Sequence, residues 1–191
     1  MKKVFAILGI IIVFIAGYLW FFVFHSKGRH SDGPKPLPLA VSKHSDAFNS
    51  SMEIVLNTYY KMLEGFVNRD TTVINKSAAE LKQAFDSLKI DELQKDTTIY
   101  STVLDPWANA RIETGSIIAD PSIIEKMGSL NILSDNLRNL LVIVKYDRAK
   151  VHWQECPMAF GEDNPGNWLS KTVDVRNPYP GTKDPKSGSD M

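Results

Sequence analysis

Residues 45–67 read SDAFNSSMEIVLNTYYKMLEGFV, and residues 70–88 read DTTVINKSAAELKQAFDSL. Apolar side chains recur in both stretches at steps of three and four residues, which is the period of an amphipathic helix. In the first stretch they are Phe48, Met52, Val55, Leu56, Tyr59, Tyr60, Leu63, Phe66 and Val67, and in the second Ile74, Ala78, Leu81, Phe85 and Leu88. The pattern predicts two helices, each with one apolar face.

The ends of these two helices carry capping residues. Ser45 or Asp46 can cap the first helix, and the run Asp70-Thr71-Thr72 offers a capping cluster for the second. The link at Asn68-Arg69-Asp70 is short. Helices joined by so short a link are predicted to lie antiparallel.

A third helix is predicted from about Thr97 to Ala119. Its apolar face consists of Ile99, Val103, Leu104, Trp107, Ala110 and Ile117. Pro106 interrupts this pattern, so two interpretations are open. Either the helix kinks at Pro106, or Asp105 caps a fresh helix with Pro106 in its first position.

The fourth predicted helix has the same start signal, with Asp120 as the cap and Pro121 in the first helical position. Its apolar face consists of Ile124, Met127, Leu130, Leu133, Leu137, Leu140, Leu141 and Val144. Arg148 and Lys150 are expected at its C-terminal end, where the helix dipole favours positive charge.

After Lys150 the helical period ends. Val151 to Cys156 is compatible with an extended segment, and glycine and proline then interrupt the chain every few residues. The predicted fold is mainly α: an antiparallel bundle of about four helices with an irregular C-terminal segment packed across it. This domain covers residues 44–182, and the polar residues 183–191 are predicted to be a disordered tail.

The N-terminus begins Met1-Lys2-Lys3 and continues with an uncharged apolar run from Val4 to Phe24. As a helix this run of 21 residues would be about 32 Å long, enough to cross a bilayer core of about 30 Å. Residues 1–24 therefore predict a transmembrane anchor, with a cleavable signal peptide as the alternative. The length of the apolar run and the bulky residues after it favour the anchor.

Residues 25–43 are predicted to be a linker that is flexible at first and then stiffened by Pro34, Pro36 and Pro38. The basic residues before the anchor favour a cytoplasmic N-terminus, which would place the domain in the periplasm, held to the inner membrane. The chain has 22 basic and 22 acidic residues, and this balance argues against a nucleic-acid partner.

The one cysteine of the chain, Cys156, is followed two residues later by Met158. A thiolate and a thioether are soft donors of the kind that bind Cu(I). In an extended segment both side chains point the same way with their Cα atoms about 6.6 Å apart, whereas His152 would lie about 13 Å from Cys156. The third ligand would then be His152 brought near by a bend, Met191, or the same pair from a second molecule.

The alternative for these residues is ordinary packing, because cysteine is often buried and methionine fills gaps in cores. Enzyme motifs are absent from the sequence: it contains no HExxH, GxSxG, P-loop or GxGxxG. We therefore expect no catalytic activity.

The C-terminal motifs Cys156-Pro-Met-Ala159, Trp168-Leu-Ser170 and Asn177-Pro-Tyr-x-Gly181 resemble the terminal signature of a bacterial family of unassigned function, common in Bacteroidetes-type bacteria. The resemblance covers about residues 48–182. Members occur alone behind an N-terminal signal or anchor, or attached to CusB-type copper and silver efflux adaptors. The family pattern continues to a Met-Leu-x-Cys-Gly segment, which this sequence does not contain.

The resemblance implies an envelope domain connected with heavy-metal handling, with Cys156 and Met158 matching the family's Cys-Pro-Met. The leading hypothesis is thus an accessory module that binds or relays Cu(I) or another soft metal ion through Cys156, Met158 and His152. The alternative is a structural or interaction domain without metal, which docks onto an efflux adaptor or another envelope protein.

Overall fold

The computed structural model describes residues 43–179 and 188–190, together with Tyr18. Tyr18 is helical and exposed, but the rest of the predicted anchor 1–24, and the predicted linker except Lys43, lie outside the described residues. No helix in the described part is both long and apolar enough to cross a membrane. The chain divides into two units, residues 1–40 and 41–191, and residues 43–179 and 188–190 belong to the second.

Residues 43–179 and 188–190 form four α-helices, one short 3₁₀ helix and three β-strands, which confirms a mainly helical fold. The helices are α1 (Asp46–Val67), α2 (Thr71–Asp86), the 3₁₀ helix (Ile90–Lys95), α3 (Thr97–Ala119) and α4 (Ile123–Val144). The strands are β1 (His152–Cys156), β2 (Gly166–Ser170) and β3 (Ser189–Asp190). Successive α-helices pack against one another, and their apolar faces form the core.

The caps of α1 and α2 are the predicted ones. The Ser45 hydroxyl accepts a hydrogen bond from the Phe48 N–H at 3.0 Å. Asp70 Oδ1 accepts from the N–H groups of Thr72 and Val73, each at 3.0 Å. Lys61 on α1 and Glu80 on α2 form an ion pair of 2.8 Å between the two helices, as expected for antiparallel neighbours.

Helix α3 runs from Thr97 to Ala119, which confirms the predicted range, and Pro106 lies inside it. A fresh helix capped by Asp105 is therefore wrong, and the alternative of one helix passing through Pro106 is the observed one. Its N-cap is Asp96, whose carboxylate accepts from the N–H groups of Thr98 and Ile99. Proline removes the hydrogen bond to the residue four positions earlier, Thr102. Because Thr102 is exposed, water can serve its carbonyl instead.

The predicted start of the fourth helix at Asp120 and Pro121 is wrong by two residues. Asp120 ends α3 with an extended backbone (φ −65°, ψ 131°), and Ser122 precedes the first residue of α4. A proline disfavours the helical backbone conformation in the residue before it, here Asp120. Pro121 therefore terminates α3 and turns the chain before α4 begins.

The other end of α4 also differs from the prediction. The helix ends at Val144, and Lys145 takes the left-handed conformation with φ 52°. Arg148 lies beyond the helix, where it forms an ion pair with Asp46 in the first turn of α1. Its charge thus faces the N-terminal end of α1 and does not lie in the last turn of α4.

The C-terminal segment, predicted to be irregular apart from its extended start, forms a three-stranded antiparallel sheet in the order β2-β1-β3. Strand β1 pairs with β2 from His152↔Ser170 to Cys156↔Gly166. Strand β3 pairs with Gln154 and Glu155. Ser189 and Asp190 thus have a defined place although the sequence predicts disorder over 183–191, and residues 183–187 and Met191 lie outside the described residues.

Candidate functional site

The motifs of the C-terminal segment meet in one packed cluster. Its members Cys156, Ala159, Trp168, Asn177 and Tyr179 are each no more than 5 % exposed. The rings of Trp168 and Tyr179 meet edge to face with their centroids 5.9 Å apart, a favourable aromatic geometry. We call these five residues the C-terminal cluster. Its burial shows that these motif residues hold the segment together.

Polar groups attach the outer edge of β2 to the helices. The Leu169 N–H donates to the Tyr59 hydroxyl of α1 at 3.2 Å, and that hydroxyl lies 2.7 Å from the Ser134 hydroxyl of α4. The Asn167 N–H donates to Asn131 Oδ1 of α4 at 2.7 Å. Burial raises the pKa of Tyr59 far above its ordinary value, so the phenol stays neutral. Tyr59 thus fixes the sheet to the bundle.

Arg69 joins the α1–α2 link to the C-terminal cluster. Its guanidinium donates to the carbonyl oxygens of Pro178 at 2.7 Å and Tyr179 at 2.8 Å. Arg69 has φ 57°, a left-handed backbone conformation that residues other than glycine rarely adopt. The two hydrogen bonds join positions that are 109 and 110 residues apart in the sequence.

Replacing Arg69 by lysine should lower the free energy of unfolding by about 1–2 kcal/mol. One ammonium cannot reproduce the two-pronged guanidinium geometry, so at least one carbonyl loses its partner. The matched control is Arg176→Lys, because Arg176 pairs with Glu64 at 2.6 Å on the surface and such pairs contribute about 0–1 kcal/mol. Urea unfolding followed by circular dichroism measures both, and equal effects would contradict the role of Arg69.

The predicted metal ligands lie in different environments. Cys156 ends β1 and is 1 % exposed, whereas Met158 lies in the following turn and is 58 % exposed. The predicted same-side arrangement requires the strand to continue to Met158, but the strand ends at Cys156. His152 is at the other end of β1, with Nδ1 3.0 Å from Asp190 Oδ2.

No group of three or more His, Cys, Asp or Glu side chains in the described ranges is placed to hold a metal ion, and Met191 lies outside those ranges. Binding of Cu(I) by Cys156, Met158 and His152 stays a prediction. Anaerobic titration of the chain and its Cys156→Ser and Met158→Leu variants against a competing chelator would test it.

An open groove of about 470 Å³ lies between the C-terminal part of α4 and strand β1. Its lining includes Arg138, Val142, Lys145, Lys150, His152 and Trp153, and Asp190 of β3 reaches its edge. We call this cleft the β1 groove. Apolar side chains line it, and the edge of β1 that pairs with β3 lies beside it; peptide-binding sites use both kinds of surface.

The β1 groove is positively charged. Arg138, Lys145 and Lys150 line it, and Asp190 is the one acidic residue among its described lining residues. The Arg138 guanidinium lies over the Trp153 ring, 4.9 Å from the centroid, so that its charge remains at the groove surface. Val142 adds an apolar side chain that is 63 % exposed. The surface suits an acidic ligand with some apolar character.

The groove and the role of Arg69 are not predicted by the sequence patterns. The sequence does show basic residues near the end of the fourth helix. Arg148 and Lys150 are assigned to its dipole, so no binding site is predicted there. Nothing local indicated that Asp190 lies beside His152, since 38 residues separate them.

No family model matches the chain, and neither the curated proteins nor the solved structures include a significant match.

Proposed function

We propose that this chain is a non-catalytic binding domain of the bacterial cell envelope. In this proposal residues 1–24 anchor it in the inner membrane, and residues 44–182 lie in the periplasm. The β1 groove binds another envelope protein, for which an efflux adaptor is the first candidate. The observation that carries the proposal is the groove itself: an exposed, basic and partly apolar cleft between α4 and the sheet.

The use of the other chemically active side chains supports binding over catalysis. The Cys156 thiol and the Tyr59 and Tyr179 phenols are buried within the protein. Burial raises the pKa of both phenols well above the ordinary value. Both therefore stay neutral near pH 7 and are unsuited to acid–base catalysis. Their hydrogen bonds and ring contacts serve the attachment of the sheet.

Site-specific photo-crosslinking in living cells tests the proposal. A photoreactive amino acid is placed at Val142 in the groove of the full chain, and for comparison at Ile112 on α3. The two side chains are matched in exposure, 63 % and 62 %, and Ile112 does not line the groove. We expect a discrete protein adduct from position 142, found in the membrane fraction, and none from position 112.

The adduct should also disappear when Lys145 and Lys150 are both replaced by glutamate, since the charge of the groove is then reversed. Equal labelling at both positions, or no protein adduct at position 142, would overturn the proposal.

A further inference from the structure

We propose that the β1 groove binds an extended, acidic segment of its protein partner by strand addition along β1, and that Ser189 and Asp190 of the chain's own tail compete for the same edge. This inference rests on the proposed binding function and specifies the chemistry of the partner. It follows from three features: the edge of β1, the charge beside it, and the way in which β3 occupies it.

The first feature is the edge of β1 that β3 holds. Strand β2 covers one edge of β1 over all five residues, from His152 to Cys156. On the other edge β3 pairs with two residues, Gln154 and Glu155. An exposed strand edge presents unpaired N–H and C=O groups and is a template for another extended segment. An extended partner segment that displaced β3 would take over its pairing with Gln154 and Glu155.

The second feature is charge complementarity. Asp190 Oδ2 lies 3.0 Å from His152 Nδ1, so a carboxylate already occupies this position in the groove. Beyond it, no described carboxylate forms an ion pair with Lys145 or Lys150. A segment with one acidic side chain at the position of Asp190 and a second one nearby would satisfy these charges, whereas a basic segment would be repelled.

The third feature is the fit of the tail that now holds the edge. Gly188 precedes β3 with φ 138°, a conformation that favours glycine. A Cβ atom at this position would lie 2.7 Å from the Glu155 carbonyl oxygen and 3.1 Å from the Trp168 ring. Strand β3 is two residues long, so this close approach and the His152–Asp190 contact account for its docking. A substitution at either point should release the edge.

The experiment uses the full chain in detergent micelles and a labelled synthetic peptide. The peptide carries Gly-Ser-Asp, the sequence of residues 188–190, preceded by Thr-Val and followed by Val-Glu, and the Asn control peptide has Asn and Gln in place of Asp and Glu. Fluorescence polarisation gives the affinity. We expect weak binding to the natural chain and at least tenfold tighter binding to the Gly188→Ala and Asp190→Asn variants, because their tails no longer compete.

Charge reversal in the groove provides the second arm. In the Asp190→Asn background, Lys145→Glu with Lys150→Glu should weaken peptide binding at least tenfold. Lys76→Glu with Lys89→Glu changes the net charge equally at exposed positions outside the groove and should have little effect. The Asn control peptide should bind at least tenfold more weakly than the Asp peptide throughout.

Equal affinity of the natural chain and both tail variants would overturn competition by the tail. Absence of peptide binding in all variants, or equal binding of the Asp and Asn peptides, would overturn the acidic strand. If the natural chain self-associates and the peptide dissociates it, the occupant is a second copy and the partner assignment is wrong. A groove-specific crosslink without peptide binding would leave the binding function intact and reject this inference alone.

Discussion

Replacing Trp168 by alanine should lower the free energy of unfolding by about 3–5 kcal/mol, the range for truncation of a buried aromatic side chain. Trp168 is 0 % exposed and is the largest fully buried side chain of the described residues. Its ring packs against Tyr179 and closely approaches Gly188. Truncation would therefore leave a cavity bordered by the sheet, the Tyr179 segment and the tail.

The Trp168→Phe variant separates lost packing from a lost hydrogen bond. The indole N–H has no hydrogen-bond partner in the described part of the chain. Its removal should cost nothing, so that phenylalanine, which keeps a ring against Tyr179, is expected to lose about 1–2 kcal/mol through lost volume. Chemical unfolding followed by far-UV circular dichroism avoids the altered fluorescence. If phenylalanine and alanine were equally destabilising, the N–H would have a structural partner and this account of the cavity would fail.

The same substitution should reach the β1 groove. Trp168 pairs with Gln154 across the β1–β2 ladder, and Gln154 Nε2 donates to the Thr172 and Val173 carbonyls. Loss of the indole therefore removes support from the central strand, whose other edge borders the groove. The C-terminal cluster and the proposed binding edge thus depend on the same strand, β1.

The helices were predictable because their determinants are local. The stripe from Phe48 to Phe66 lies within α1, and the cap Asp70 directly precedes α2. Period and capping are therefore readable from neighbouring residues. The Asp120-Pro121 signal misled because the same dipeptide can begin a helix or end the preceding one. Here Asp120 has the extended backbone that a following proline favours, so α3 ends at this dipeptide.

The sheet was only half predictable because its determinants are distant in sequence. Strand β1 was readable as an extended segment, but β2 has five residues, GNWLS, without clear alternation. What holds β2 is β1 together with Tyr59 and Asn131, side chains that belong to α1 and α4. The groove depends on the same distant pairing, since its lining comes from α4, β1 and β3.

The predicted soft-metal site illustrates the same limit. The spacing of Cys156 and Met158 predicts that their side chains point the same way only if the strand continues beyond Cys156. The chain turns there instead, with the Ala159 N–H donating to the Cys156 carbonyl at 3.3 Å. Burial of the thiol and exposure of the thioether follow from this turn. Pro157, directly after Cys156, is a local turn signal, but it does not determine where the two sulfur side chains lie.

Replacing Gly166 by alanine should lower the free energy of unfolding by about 3 kcal/mol, the upper part of the usual range for overpacking. A Cβ atom at Gly166 would lie 2.6 Å from the Ala159 Cβ and 2.8 Å from Tyr179 Cε2. Both neighbours are buried, and Arg69 holds the Tyr179 backbone in place. Neither can withdraw without opening the C-terminal cluster.

Gly128→Ala is the matched control, because Gly128 lies within α4 and a Cβ there would meet nothing within 4 Å. Alanine at that position should stabilise the protein by about 0.5–1 kcal/mol through its helix propensity. The double variant Gly166→Ala with Ala159→Gly should regain part of the loss, since it removes the shortest contact but leaves the Tyr179 ring. Two glycine substitutions of opposite sign would show that packing against Ala159 and Tyr179 decides residue 166. Stabilisation by Gly166→Ala would mean that the cluster is looser than its contacts indicate.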